Sequence, residues 1–146
     1  MDAKTLLTMH FSLGELTTTS QAKFKNANFN YGVQNYDKLL KLAEFAEKVR
    51  AALGVPMIVT SGVRCPDLNK TIGGASGSQH VLCEAIDFVP SGVSVARAFD
   101  LIRASALKFG QLIKEHSGGK EWVHVSLGAK NEVLVYNGAS YTKIKR

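Results

Sequence analysis

The stretch Ser76–Phe88 constrains the chain most, because it places a histidine and an aspartate seven positions apart. His80 follows a loop rich in Gly and Ser, and Asp87 lies in a β-prone apolar run. Imidazole and carboxylate groups are good zinc ligands, but a catalytic zinc site uses three protein ligands and keeps one position open. A third ligand must therefore come from another part of the chain.

The strongest candidate for the third ligand is His124, and Glu121 stands three residues before it as a candidate base. In a regular strand His124 shares a face with Trp122, and Glu121 points to the opposite face. The glycine pair at 118–119 is the feature that would let Glu121 depart from this alternation. His116 and Glu115, just upstream, could each orient a ligand, although a loop histidine beside Gly-rich sequence is more often simply exposed.

Each candidate ligand taken alone also fits a structural role, such as a loop histidine or an edge-strand carboxylate. Together they form a His-x₆-Asp and a Glu-x-x-His pattern, both beside Gly-rich loops. On composition and spacing alone, a hydrolytic metal site and three unrelated side chains both remain open.

The length of 146 residues and the hydrophobic content of 45% are typical of one globular domain. We expect a single, monomeric domain over residues 1–146, with residues 1–35 as an irregular N-terminal strap. No apolar run reaches the length of a membrane span, and the N-terminus lacks the regions of a secretory signal. The sequence predicts synthesis in the cytoplasm.

The charge balance is basic, with 18 Lys and Arg against 12 Asp and Glu and a formal net charge of +6. This balance favours polyanionic partners, including nucleic acid, anionic membranes and cell-wall polymers. The basic residues are scattered, and no arginine-rich stripe or aromatic-interleaved motif is present. We therefore expect no nucleic-acid partner.

Hydrophobic periodicity predicts an α+β fold. Apolar residues at spacings of three and four predict a helix over Tyr36–Leu53, and a second helix from Val95 to about Lys108. Strands are predicted at 57–61, 85–89, 111–113, 122–127, 132–136 and 141–144. This order predicts an antiparallel sheet with helices packed on one face and a zinc site in a cleft on the sheet.

Two segments resemble the paired signatures of the zinc D-Ala-D-Ala carboxypeptidases and phage L-Ala-D-Glu endopeptidases. Ser78–Asp87 resembles their Ser-x-His-x-x-Gly-x-Ala-x-Asp signature, and Glu121–His124 resembles their Glu/Asp-x-x-His signature. Ser61–Arg64 and the opening His10–Leu16 resemble further segments of the phage-type members. The resemblance runs in order from about residue 10 to residue 127, and it implies the D-Ala-D-Ala carboxypeptidase-like fold.

The resemblance implies a role for each matched residue. The implied ligands of one zinc ion per chain are His80, Asp87 and His124, and the implied general base is Glu121. The implied substrate-binding residues are Arg64, Ser78, Gln79 and Trp122. Arg64 would bind the substrate carboxylate or polarise its carbonyl, which gives it a catalytic role as well. The implied activity is zinc-dependent hydrolysis of a peptide bond in peptidoglycan stem peptides by a phage or prophage endolysin, acting on the bacterial cell wall.

One departure from the signature is Cys83, which stands where the family usually has glycine. This residue could strain the turn, pack harmlessly, reach the metal or pair with Cys65. Two cysteines are too few for a disulfide framework, so reduced thiols and a single disulfide both remain open.

Two other classes of function compete with the peptidase. The same fold could serve as a catalytically silent, zinc-stabilised cell-wall-binding or virion structural module, although such a module has no need of a base. A basic nucleic-acid binder would bind DNA in a salt-dependent, metal-independent way, and only the net charge supports it.

Overall fold

The computed structural model describes residues 1–146 and confirms the α+β class. The helices are α1 (Leu13–Leu16), α2 (Lys25–Gln34), α3 (Tyr36–Leu53), α4 (Pro66–Thr71) and α5 (Val95–Ala104), with a 3₁₀ turn at Ala22–Phe24. The strands are β1 (Met57–Ser61), β2 (Ala85–Pro90), β3 (Gln111–Ser117), β4 (Lys120–Ser126), β5 (Glu132–Tyr136) and β6 (Tyr141–Ile144). They form one six-stranded sheet in the order β1-β2-β4-β3-β5-β6. No helix is both long enough and apolar enough to cross a membrane.

The sheet is mostly antiparallel, as predicted, and it includes a parallel pair. β3 pairs with β4 in the antiparallel sense and with β5 in the parallel sense. Residue alternation gives no information on strand direction. The parallel pairing of β3 with β5 therefore could not be predicted from the sequence patterns.

By its internal contacts the chain divides into two compact units. The first comprises Met1–Glu47 and Val59–Ile86, and the second comprises Lys48–Ile58 and Asp87–Arg146. The organisation of residues 1–146 as a single domain stays a prediction.

In the first unit, the expectation of an irregular strap over residues 1–35 is wrong, because this segment holds α1 and α2. Asn-rich composition is typical of turns, but tertiary contacts override that preference here. The Asn28 side chain is buried on α2; it donates to the carbonyls of Thr17 (2.8 Å) and Val63 (3.0 Å) and accepts from the Cys65 amide (2.8 Å). These three bonds hold the helix against the loop that follows β1.

Helix α3 has the predicted bounds, and its apolar face is buried as expected. Helix α5 ends at Ala104, earlier than the predicted Lys108. Ser105 adopts an extended conformation with ψ 171°, and its hydroxyl donates to the Ile102 carbonyl (2.7 Å). A serine that bonds to the backbone in this way offers an alternative to the helical ladder, which explains the early end.

In the second unit, β3 and β4 form a regular hairpin. Its register runs from Leu112 opposite Val125 to Ser117 opposite Lys120, so β3 is longer than the predicted 111–113. The turn consists of Gly118 and Gly119, whose φ angles of 56° and 77° suit a two-residue hairpin turn. Helix α5 packs against both strands.

Candidate metal centre

His80 lies in a tight turn that fixes the orientation of its ring. Its side chain is buried, with 4% of the residue exposed. The ring Nδ1 lies 2.7 Å from the carbonyl oxygen of Gly62, and the His80 amide donates to Ser78 Oγ at 3.2 Å. Because a carbonyl oxygen only accepts, Nδ1 carries the proton, and in the neutral ring Nε2 is left as the ligand atom. This is the arrangement in which outer hydrogen bonds orient metal-ligating histidines.

Asp87 on β2 and His124 on β4 form a second, partly buried pair. His124 Nδ1 lies 2.8 Å from Asp87 Oδ1, and the two side chains are 10% and 14% exposed. The neighbours of Asp87 in the strand, Ile86 and Phe88, are fully buried. Strand alternation therefore anchors the apolar residues in the core and leaves Asp87 on the other face, as predicted.

The structure brings the three predicted ligands together. One ligand atom from each of His80, Asp87 and His124 lies within 4.8 Å of the other two. Two imidazoles and a carboxylate form a donor set of the kind that holds catalytic zinc, with a fourth position left for water or substrate. The buried imidazoles and the ordered His80 tautomer fit such an ion.

Arg64 is tied to the His80 turn through the backbone. Its amide donates to the His80 carbonyl at 3.1 Å. Its guanidinium donates to Asn69 Oδ1 at 3.0 Å and to Ser61 Oγ at 3.4 Å. These partners orient the planar donor fork that recognises carboxylates.

The other predicted substrate-binding residues of the first unit shape the His80 turn. The Ser78 hydroxyl accepts from the His80 amide, and the Gln79 carbonyl accepts from the Glu84 amide at 2.9 Å. Trp122, in the second unit, is half-buried on β4. Substrate contact by these three residues stays a prediction.

Cys83 closes the same turn in a left-handed conformation with φ 61°. Its amide donates to the His80 carbonyl at 3.2 Å, and its side chain is buried. Both cysteines are free thiols in the structure, so the alternative of a disulfide between Cys65 and Cys83 is wrong. Burial is the main cause that raises the pKa of the Cys83 thiol.

The register of the hairpin separates the two glutamates beside the signature. Glu121 lies opposite His116 and is exposed, whereas Glu115 lies opposite Trp122 and is half-buried. Ile113 lies opposite His124. Directly opposed side chains share a face and neighbours alternate. Glu115 is therefore on the His124 face and Glu121 is on the other, and the regular glycine turn does not change this.

Glu115 also has a partner that the sequence did not indicate. The Tyr141 hydroxyl on β6 donates to the Glu115 carboxylate, with distances of 3.2 and 3.3 Å to its two oxygens. The Tyr136 ring lies 4.5 Å from the Tyr141 ring. Burial raises the pKa of Tyr141 to about 12, with further contributions from the charges of Glu115 and Asp87. At neutral pH the phenol is therefore a hydrogen-bond donor.

Comparison with known proteins identifies the chain's relatives. Residues 9–126 match the Peptidase M15 family. The matched segment covers more than half of the chain and includes every predicted site residue. No curated protein matches the chain significantly. The match confirms the resemblance stated from the two signatures, and it supports a zinc peptidase that acts on peptidoglycan. The chain therefore belongs to the Peptidase M15 family.

Proposed function

We propose that the protein hydrolyses a peptide bond in the stem peptides of peptidoglycan. In this proposal it is a phage or prophage endolysin-type enzyme. It is made in the cytoplasm and acts as a monomer on the bacterial wall. The observation that carries the proposal is the convergence of one ligand atom each from His80, Asp87 and His124 within 4.8 Å. Family membership supports the coarse activity. The endolysin role is supported by the resemblance of the opening segment, His10–Leu16, to the phage-type members.

His80, Asp87 and His124 would hold one zinc ion per chain. When bound by these residues, the ion would supply Lewis-acid chemistry, which lowers the pKa of water and polarises a carbonyl. In the tautomer with the proton on Nδ1, the His124 ring donates a hydrogen bond to Asp87. This contact orients the two side chains toward each other.

Arg64 would bind a carboxylate of the stem peptide. Its guanidinium is held by Asn69 and Ser61, so less conformational entropy is lost when it binds an anion. Ser78, Gln79 and Trp122 would line the path of the peptide. The formal charge of +6 suits an anionic wall, because long-range attraction raises the rate of encounter.

The experiment is digestion of purified peptidoglycan by the protein as isolated, with a chelator, and with zinc restored, followed by mass spectrometry of the soluble products. We expect new peptide termini that vanish with chelator and return with zinc, and the product masses identify the bond that is cut. His124→Ala should abolish cleavage, whereas His116→Ala, an exposed histidine on the neighbouring strand, should retain it.

Absence of products under all three conditions would overturn the proposed hydrolysis. If zinc then bound stoichiometrically and the protein sedimented with intact wall, the catalytically silent binding or virion structural module would replace it. Cleavage that survives the chelator would instead remove the metal from the proposal.

A further inference from the structure

We propose that Asn69 on α4 positions the guanidinium of Arg64 and thereby sets the preference of the enzyme for a peptide that carries a carboxylate. This inference rests on the proposed peptidase function, in which Arg64 binds a carboxylate of the stem peptide. It depends on contacts within the first unit alone.

Asn69 is a buried polar residue, with only 4% of its surface exposed. Its backbone amide donates to the Cys65 carbonyl at 3.0 Å, and its carbonyl accepts from the Gly74 amide at 2.8 Å. A buried carboxamide needs partners for both its oxygen and its amino group, because an unpaired polar group is costly to bury. The partners of the Asn69 side chain therefore show which groups it holds in place.

The carboxamide of Asn69 connects Arg64 to the Gly-rich loop at 73–77. Its Oδ1 accepts from the Arg64 guanidinium at 3.0 Å, and its Nδ2 donates to the Ala75 carbonyl at 2.8 Å. A guanidinium only donates and a carbonyl only accepts, so these two partners fix which end of the amide faces each of them. The contact of Arg64 with Ser61 is longer, at 3.4 Å. Of these two contacts, Asn69 therefore gives the closer support.

Gly74 packs directly against this carboxamide. A Cβ atom at Gly74 would lie 2.1 Å from Asn69 Oδ1 and 2.7 Å from Asn69 Cγ. Both distances are well below the roughly 3.5 Å at which non-bonded atoms pack. A side chain at this position would therefore displace the carboxamide and disturb its bonds to Arg64 and Ala75. Gly77, in the same loop, has open space at the corresponding position.

The amide of Asn69 holds the guanidinium without adding a negative charge beside it. A carboxylate of the same shape would form a charge-assisted bond to Arg64 and would compete with the carboxylate of a substrate. It would also lack the donor for the Ala75 carbonyl, so two acceptors would face each other. The neutral side chain therefore orients Arg64 and preserves its affinity for an anionic group of the peptide.

The test uses pairs of synthetic stem peptides that differ at one position, where one member carries a carboxylate and the other a neutral carboxamide. Each carboxylate of the stem peptide is replaced in turn. We expect the wild-type protein to cleave the carboxylate member with a kcat/KM roughly 10- to 100-fold higher at one position, the range for a hydrogen bond to a charged group. The ratio of the two values does not depend on the fraction of folded enzyme, because both peptides meet the same sample.

We expect Asn69→Asp to lose most of this preference, through a higher KM for the carboxylate peptide with kcat unchanged. Asn30→Asp is the matched control, because it adds the same charge at an exposed position of α2 and should keep the wild-type ratio. If Asn69→Asp cleaves neither peptide, the ratio of their two dissociation constants, measured by calorimetry, replaces the kinetic ratio. A wild-type ratio in Asn69→Asp, or a fall in kcat alone, would overturn the role of Asn69.

Gly74→Ala tests the same connection from the side of the loop. Its added methyl group displaces the Asn69 carboxamide, so the preference for the carboxylate peptide should fall although no charge has changed. Gly77→Ala should keep the preference, because its methyl group meets open space. Equal ratios in the two glycine variants would contradict the positioning of Arg64 through Asn69.

Failure of the inference is distinguishable from failure of the proposed function. A wild-type protein that cleaves no peptidoglycan overturns the function, and the role of Asn69 falls with it. An active wild type that shows no preference for a carboxylate at any position overturns the inference and leaves the hydrolysis standing.

Discussion

Cys83 adopts a backbone conformation that L-residues rarely choose. Its φ of 61° lies in the left-handed region, which costs a non-glycine residue about 1–2 kcal/mol. The buried thiol offsets part of that cost through packing, since only 1% of the residue is exposed. The glycine of the family signature therefore marks a real conformational demand of the His80 turn, which this chain meets with a larger residue.

We expect Cys83→Gly to be more stable than Cys83→Ala by about 1 kcal/mol, because glycine carries no left-handed penalty. Both changes remove the thiol, so their comparison isolates the backbone. At a position in an ordinary strand or helix, the alanine variant would instead be more stable than the glycine variant. Urea unfolding of the two variants measures the difference, and equal stability or a more stable alanine variant would contradict the strained turn.

At the residue scale, the candidate ligands could be predicted, whereas the face on which Glu115 lies could not. His80, Asp87 and His124 were found because zinc restricts its ligands to a few residue types, and two of them share one short stretch. Glu115 is seen to share a face with His124 only once Trp122 is known to be its cross-strand partner. Alternation within β4 already placed Glu121 on the face opposite His124, but the partner strand and its register were unknown.

Among the elements, α2 has the least recognisable sequence and an important structural task. The helix carries Asn28, whose side chain makes three hydrogen bonds to buried backbone groups. Two of those groups belong to Val63 and Cys65, on either side of Arg64. The position of the Arg64 backbone therefore depends on a helix that lies far from it in sequence.

We expect Asn28→Ala to destabilise the protein by about 3 kcal/mol, because it leaves two carbonyls and one amide without their buried partner. Asn26→Ala, an exposed asparagine of the same helix, should change stability by less than about 0.5 kcal/mol. Thermal and denaturant unfolding of both variants provide the comparison. Equal effects would mean that the Asn28 bonds contribute nothing beyond helix propensity.

Elements with strong periodicity were predictable, and those held by tertiary bonds were not. Helix α3 repeats apolar residues on one face over its full length, and the sequence indicated both of its ends. Helix α2 lacks such a face and depends on Asn28. Strand β3 is longer than its apolar run because pairing with β4 orders its polar end as far as Ser117.

For the whole molecule, a bound metal should contribute to stability. An ion that binds only the folded chain stabilises it in proportion to the logarithm of its concentration above Kd, about 2.7 kcal/mol at one hundred times Kd. The three candidate ligands are far apart in an unfolded chain, so the folded state is the one that binds.

We expect zinc in this excess to raise Tm by roughly 5–10 °C and a chelator to reverse the rise. His124→Ala should remove most of the response, whereas His116→Ala should keep it. Differential scanning calorimetry at several zinc concentrations measures the effect. A Tm that is independent of zinc in the wild-type protein would contradict the proposed centre.

The regular backbone of β4 has a consequence for evolvability. The hairpin carries one glutamate on each face near its turn, and the pleat decides which of them shares the face of His124. A single β-bulge between Glu121 and His124 would rotate Glu121 onto the other face and leave Glu115 in place. A one-residue insertion at this point would therefore change which carboxylates share the face of His124.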